Sequence, residues 1–166
     1  MKKILILNHQ QIEQKINRIA HEIYEYNFEE HEIVIAGIAD RGYILAKKIN
    51  EVLLKISPLK TKLLEIKIDK SNLKIEDTLL NVKREELKNK VVMLVDDVLN
   101  TGKTMIFALH PFLKYDIKKI ATIVLVDRNH NLFPVRADYV GLSLATTLKE
   151  HISVEFMEGN DAAYLC

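Results

Sequence analysis

Residues 91–104 read VVMLVDDVLNTGKT, and the rest of the chain can be understood as support for this stretch. Its first five residues are apolar and predict a buried strand, and Asp96 and Asp97 follow where that strand is expected to end. Residues 100–104 then open a predicted helix, whose first backbone N–H groups attract a phosphate dianion. Adjacent carboxylates suit ribose hydroxyls or Mg²⁺. The stretch therefore predicts a binding site for a phosphorylated sugar.

Two other interpretations of the stretch are weaker. The run Gly102-Lys103-Thr104 matches the end of a nucleotide P-loop, but that motif needs a glycine five residues before Gly102, and position 97 is Asp. An ordinary buried strand followed by a polar turn needs neither two carboxylates nor a Thr-Gly-Lys-Thr run. We therefore reject the P-loop and favour the sugar phosphate site.

The same stretch resembles the phosphoribosyl pyrophosphate (PRPP) binding motif of type I phosphoribosyltransferases. In that family the acidic pair holds the ribose hydroxyls and the Thr-Gly turn holds the 5′-phosphate. The resemblance implies that Asp96 and Asp97 are the catalytic pair, and that they contact Mg²⁺ indirectly through the ribose. It implies that the phosphate is bound by the residues that follow, namely Val98, Leu99, Asn100, Thr101, Gly102, Lys103 and Thr104.

Length and charge limit the classes of function. A chain of 166 residues with 48% hydrophobic content predicts one domain with a substantial core. Its formal charge of +1 provides no global field that would favour nucleic acid. Only four apolar residues, 4–7, precede a polar segment, which is too short for a signal peptide, and no segment approaches the length of a membrane span. We expect a soluble cytoplasmic protein with no membrane partner.

Strands and helices alternate along the chain. This order predicts an α/β fold with a mostly parallel sheet flanked by helices, in which ligands bind at the carboxyl ends of the strands. The resemblance implies a type I phosphoribosyltransferase fold over residues 1–166, with a small irregular hood from the N-terminus and about residues 127–166 that binds the base. The predicted strands are 4–7, 32–38, 59–68, 91–95, 118–126, 139–144 and 152–157, and the predicted helices include 10–26 and 105–115, the latter kinked at Pro111.

A second glycine turn repeats the plan of the first. The strand EIVIAGI at residues 32–38 is followed by Asp40, Arg41 and Gly42 and then by a helix. The turn offers N–H groups to an anion, and Arg41 adds a bidentate charged contact. These three residues resemble the pyrophosphate loop of the same family.

Residues 69–90 carry mixed charge with no sustained apolar period. The resemblance implies a flexible catalytic loop at about residues 69–88, although a passive surface loop has the same composition. Relatives carry a Tyr-Arg-Asp-Asp type segment where this loop begins, whereas this chain has Lys70 and lacks the Arg. Lys70 supplies a point charge to pyrophosphate but no planar fork, so we expect slow turnover or binding without useful catalysis.

Residues 126–130 and 134–141 read VDRNH and PVRADYVG, and they resemble the bacterial pyrimidine operon attenuation proteins, which double as uracil phosphoribosyltransferases. The resemblance implies that Arg136, Ala137 and Asp138 line the base pocket. A strand-edge arginine in a surface ion pair is the alternative. Asn100 stands where purine-salvage relatives often carry an Asp that manages a purine proton, and an amide cannot act as that base, which weakens the purine interpretation.

Two functions remain open at this stage. The first is an enzyme that uses Mg²⁺ to make UMP from uracil and PRPP, or another nucleotide from another base. The second, less favoured, is a nucleotide-sensing regulator that binds RNA through a basic face, to which Lys47, Lys48 and Lys55 could contribute. In either case the resemblance implies a homodimer or a higher homo-oligomer.

Overall fold

The computed structural model describes residues 3–69, 74–75 and 82–166 of the chain. Lys70 and half of the predicted flexible loop, residues 70–73 and 76–81, therefore lie outside the described residues. In chain order the strands are β1 (Ile4–Leu7), β2 (Glu32–Ile38), β3 (Lys60–Ile66), β4 (Ile68–Asp69), β5 (Lys74–Ile75), β6 (Val91–Leu99), β7 (Lys119–Asp127), β8 (Tyr139–Ser143), β9 (Ile152–Glu155) and β10 (Ala162–Leu165). The helices are α1 (His9–Asn27), α2 (Ala39–Ile56), α3 (Arg84–Leu87) and α4 (Lys103–Leu109), and a 3₁₀ helix spans His110–Lys114.

The central sheet has five strands in the order β3-β2-β6-β7-β8, and every neighbouring pair is parallel. The predicted α/β class and parallel sheet are confirmed. Because the strands are parallel, all their carboxyl ends lie along one edge, which we call the carboxyl edge. Strand β6 lies at the centre and pairs with β2 on one side and β7 on the other.

Helices cover both faces of this sheet and create two cores. On one face the apolar stripe of α1 (Ile12, Ile16, Ile19 and Ile23) packs with α2 against alternate residues of β2, β6 and β7. Asn8 starts α1 through a capping box with Gln11, in which each side chain bonds to the other residue's backbone N–H at 2.9 Å. On the other face α3, α4 and the 3₁₀ helix bury Leu87, Met105, Ala108 and Phe112.

The helix after β6 differs from the prediction of one kinked helix over residues 105–115. The α-helix begins earlier, at Lys103, and ends at Leu109, and the chain continues as the 3₁₀ helix with Pro111 in its first turn. Proline has no backbone N–H to donate inside an α-helix but is tolerated in a first turn, so Pro111 ends one helix instead of bending it.

The predicted irregular hood is an ordered antiparallel sheet of three strands in the order β1-β10-β9, which we call the hood sheet. Strand β10 was not predicted. A buried carboxylate ties this sheet to α2: Asp161 accepts hydrogen bonds from Lys48 Nζ at 2.9 Å and from the N–H of Met157 at 3.0 Å. The ring of His9 also lies 3.3 Å from this carboxylate.

Among the described residues, no helix combines the length and the apolar character needed to cross a membrane.

The packing of the 3₁₀ helix can be tested with two neighbouring residues. Phe112 is fully buried and Leu113 is 65% exposed. We expect Phe112→Ala to lower the free energy of unfolding by about 3 to 5 kcal/mol because it leaves a cavity. Leu113→Ala, the matched control, should change it by less than about 1 kcal/mol. Urea unfolding followed by circular dichroism measures both, and equal losses would contradict the described packing.

Candidate active site

The two acidic residues lie within β6 instead of after it. The strand was expected to end at Val95, but its pairing with β7 continues to Leu99. Asp96 is half-buried and Asp97 is only 9% exposed. Both carboxylates lie beside the first turn of α2: a Cβ at Gly42 would lie 3.2 Å from Asp96 Oδ1, and Arg41 Nη1 lies 4.0 Å from Asp97 Oδ2.

Asp96 borders the segment that we call the phosphate turn, residues 100–104. Asp96 Oδ1 accepts a hydrogen bond from the N–H of Asp97 at 2.9 Å. A cleft of about 100 Å³ opens beside the turn. All the predicted phosphate-binding residues border this cleft together with Asp96, namely Val98, Leu99, Asn100, Thr101, Gly102, Lys103 and Thr104.

Local backbone contacts fix the shape of the phosphate turn. Gly102 adopts a left-handed φ of 87°, and a Cβ there would lie 2.4 Å from Val135 Cγ1. Only glycine meets both demands without strain. Thr101 Oγ1 accepts from the N–H of Lys103 at 3.3 Å, where the first N–H groups of α4 lack helical partners.

The segment after β7 holds the turn from outside. The N–H groups of Leu132 and Phe133 both donate to the carbonyl of Thr101 at 3.0 Å. With that carbonyl engaged, the turn is bound to a neighbouring loop as well as to its own strand and helix.

The residues predicted to bind pyrophosphate form the first turn of α2 and not a loop before it. Helix α2 begins at Ala39 directly after β2, with Ala39 at a left-handed φ of 45°. Gly42 lets the helix approach β6, since a Cβ there would lie 2.7 Å from the carbonyl oxygen of Val95. Arg41 is half exposed, and its Nη1 lies 4.0 Å from Asp97 Oδ2. The structure thus brings Asp40, Arg41 and Gly42 beside the acidic pair.

The residues predicted to bind the base lie elsewhere. Asp138 Oδ2 accepts from the N–H of Thr122 at 2.8 Å, and Thr122 Oγ1 donates to the carbonyl of Arg136 at 2.6 Å. Thr122 is in the first half of β7, whose carboxyl end is Asp127. Arg136, Ala137 and Asp138 therefore lie along the flank of the sheet and not at the carboxyl edge with the other predicted site residues.

Arg128 is a functional candidate for which the sequence predicted no role. Arg128 follows β7 directly, is 5% exposed, and donates to Asn100 Oδ1 at 2.8 Å. Its other donors reach the β8–β9 loop, residues 144–151. A charged residue directly after a buried strand, beside the strand that carries the motif, was the available signal.

A carboxylate in this loop has a shifted pKa. The backbone and side chain of Thr147 hydrogen-bond Glu150, and with the charge of Arg128 they lower the pKa of Glu150 below its usual range. This carboxylate therefore supports the loop at neutral pH, and its support is lost as pH falls through the lowered pKa. On the flank of the sheet, burial raises the pKa of Tyr139.

The described residues contain no cluster of three or more His, Cys, Asp or Glu side chains that could hold a metal ion. Asp96 borders the cleft, and Asp97 is the next residue of β6. Mg²⁺ often uses one or two protein carboxylates together with water and substrate phosphates. The acidic pair fits a metal of that kind, with the remaining ligands coming from the substrate.

Comparison with known proteins agrees with this geometry. The phosphoribosyl transferase domain family matches residues 5–157. The "Bifunctional protein PyrR" of Clostridium kluyveri is 37% identical over 162 residues, covering 94% of this chain and 92% of that protein. The protein of the same name from Clostridium acetobutylicum is 39% identical over 159 residues, covering 92% and 89%. The crystal structure of the hypoxanthine phosphoribosyltransferase of Trypanosoma cruzi superposes with a TM-score of 0.73 at 17% identity, covering 86% of this chain and 82% of that one.

Two effects favour glycine at position 102, the left-handed φ and the close contact with Val135, and two substitutions separate them. Gly102→Ala should lower the free energy of unfolding by at least about 2 kcal/mol, because it combines a left-handed φ with a steric clash. Gly159 also has a positive φ, but nothing lies within 4 Å of its Cβ position. Gly159→Ala should therefore cost only about 1 kcal/mol, from φ alone. Thermal and urea unfolding measure both, and equal losses would contradict the described contact with Val135.

Proposed function

The chain belongs to the phosphoribosyltransferase family, and on that premise we propose that it transfers the 5-phosphoribosyl group of PRPP to uracil, giving UMP and pyrophosphate. The observation that carries this proposal is the position of the acidic pair. Asp96 borders both the phosphate turn and Gly42 of α2, and Asp97 lies 4.0 Å from Arg41, so the acidic pair lies between two groups of residues that could bind anions. A phosphorylated sugar that carries a second phosphate group at its reacting carbon fits that arrangement.

In this proposal the phosphate turn receives the 5′-phosphate. Backbone N–H groups of the phosphate turn and the hydroxyls of Thr101 and Thr104 donate to it, and Lys103 adds charge. Gly102 lets the turn pack directly against Val135. These groups are fixed by the fold, so the substrate pays little to organise them.

The acidic pair and α2 act on the reacting end of the sugar. Asp96 and Asp97 accept hydrogen bonds from the ribose hydroxyls and stabilise positive charge on the ring as the bond to pyrophosphate breaks. Arg41 holds the leaving pyrophosphate. The base nitrogen then forms the new bond to the anomeric carbon and loses its proton to solvent, and no protein nucleophile takes part.

We propose Mg²⁺ as the cofactor, because the carboxylates of Asp96 and Asp97 are hard oxygen ligands at the carboxyl edge. When bound, the ion would neutralise charge on the pyrophosphate.

The choice of uracil depends on the relatives and on Asn100. The resembled attenuation proteins use uracil, and an amide at position 100 cannot remove a proton from a purine. We place the base beside the β8–β9 loop, at the carboxyl edge. Arg136, Ala137 and Asp138 would then support β7 from its flank and contact no base, a revision of their predicted role.

Cytoplasmic location and a homo-oligomeric state remain part of the proposal.

The base is best identified with a panel of uracil, hypoxanthine, guanine and adenine, each given with PRPP and Mg²⁺ while pyrophosphate release is measured. Uracil should give the highest kcat/KM. The double variant Asp96→Asn with Asp97→Asn should lower that rate by at least about a hundredfold, because it removes the charge that stabilises the transition state. Asp116→Asn, an exposed carboxylate before β7, is the matched control. Release with a purine but not with uracil would refute the substrate.

A second function is supported by the word "Bifunctional" in the names of the relatives. We propose that the chain also binds RNA, as the resembled attenuation proteins do. The basic face suggested by the sequence is weaker in the structure than expected. Lys48 is engaged by the buried Asp161, and Lys47 lies over the ring of Tyr43, while Lys55 is exposed.

RNA binding should depend steeply on salt if it uses such a face. We expect the affinity for a pyrimidine-gene leader transcript to fall at least about tenfold between 50 and 200 mM salt. Lys55→Ala should weaken binding and reduce this slope, whereas Lys114→Ala, also exposed, serves as the control. An absence of binding at 50 mM salt would remove this second function.

A further inference from the structure

Arg128 is a buried cation that lies between two segments of the site. Its guanidinium reaches Asn100 Oδ1 through Nη1 at 2.8 Å and Thr146 Oγ1 through Nε at 2.8 Å. Nη2 donates to the carbonyl of Thr147 at 3.1 Å and to the carbonyl of Glu150. Each of its three nitrogens therefore has a partner.

All four acceptors are neutral. No carboxylate oxygen lies within 4.0 Å of the guanidinium in the part of the chain that the structure describes. A buried charge without a direct ion pair is costly unless its hydrogen bonds are complete, so each acceptor contributes to keeping the side chain in place. The position of Arg128 is consequently sensitive to both segments.

These segments follow different strands. Asn100 is the first residue of the phosphate turn, at the end of β6, whereas Thr146, Thr147 and Glu150 belong to the β8–β9 loop on the far side of β7. The N–H of Arg128 also donates to the carbonyl of Leu99 at 3.1 Å, which fixes its backbone beside the turn.

The contact also sets the orientation of the Asn100 amide. A guanidinium has donors and no acceptor, so the amide must turn its oxygen towards Arg128. The Nδ2 group then points away from Arg128. Asn100 is exposed and borders the cleft, so among the described residues its amide N–H groups are directed away from Arg128 and are accessible from the cleft.

We propose that Arg128 is a positioning residue that ties the phosphate turn to the β8–β9 loop through Asn100, so that a change in the loop alters the affinity of the turn for its phosphate. This inference rests on the proposed function, since it assigns the turn to the 5′-phosphate of PRPP. Arg128 itself touches no substrate. Its effect is transmitted by the orientation of the Asn100 amide and by the position of the turn.

The sharpest test removes a contact far from the phosphate. Thr146→Val deletes one acceptor of Arg128 in the β8–β9 loop and leaves the turn unchanged. We expect it to raise the Kd for PRPP about threefold, and Arg128→Met to raise it about tenfold or more, measured by calorimetry. Asn100→Leu removes the acceptor on the phosphate turn and should raise the Kd at least as much as Arg128→Met. Lys114→Met, which removes an exposed cation outside the site, should leave the Kd unchanged.

Kinetics separate this role from a general loss of stability. A merely destabilising variant lowers the active fraction and hence kcat, but it does not change the KM for PRPP of the molecules that remain folded. If Arg128 positions the phosphate turn, KM for PRPP should rise more than kcat falls in both Thr146→Val and Arg128→Met. If Arg128→Met does not fold, Thr146→Val decides the question.

A parallel measurement with inorganic phosphate distinguishes this inference from the proposed function. Binding of phosphate but not PRPP by the unaltered protein would refute the proposed function. The Kd of the same variants for inorganic phosphate would then test the positioning role of Arg128. Folded Thr146→Val and Arg128→Met proteins with unchanged affinity would overturn the tie. An unaltered protein that binds neither ligand would overturn both proposals.

Discussion

The hydrogen bonding of β6 to a parallel strand on each side is the constraint on which the site depends. Because β2 and β7 run in the same direction as β6, the segments that follow all three strands emerge at one edge. Each neighbour then supplies a cation to β6: Arg41 follows β2 and lies near Asp97, and Arg128 follows β7 and bonds Asn100. The acidic and amide groups at the end of β6 thus lie between two guanidiniums, one from α2 and one from the segment after β7.

The two guanidiniums have different surroundings and so different capacities. Arg41 is half exposed and weakly engaged, at 4.0 Å from its carboxylate, so it can turn towards an incoming anion at little cost. Arg128 is buried with every nitrogen bonded, and moving it would leave four acceptors unmatched. The first suits direct contact with a ligand, and the second suits maintenance of shape. The same side-chain type serves both purposes because burial decides how freely it moves.

Much of the fold could be predicted because its signals are local. The apolar run of β2 gave the observed bounds, and the motif at residues 91–104 indicated the family that the comparison confirms. Errors arose where pairing partners decide the structure. Asp96 ends the apolar run, but β7 continues beside it and extends the strand to Leu99. Strand β10 is short and is stabilised by pairing with β1 and β9 on its two sides, which a local sequence pattern does not show. The role of Arg128 likewise depends on residues that are distant in sequence.

The hood sheet joins segments from opposite ends of the described chain. Strand β1 pairs with β10, and Lys3 bonds Glu155 across a separation of 152 residues. Contacts between residues so far apart in sequence form late, because the entropy of closing a long loop is lost before the contacts stabilise the fold. During synthesis the five-stranded sheet and its acidic pair can therefore form before β10 is available to pair with β1. The part of the molecule that we assign to phosphate binding would mature first on the ribosome, and the hood would be completed last.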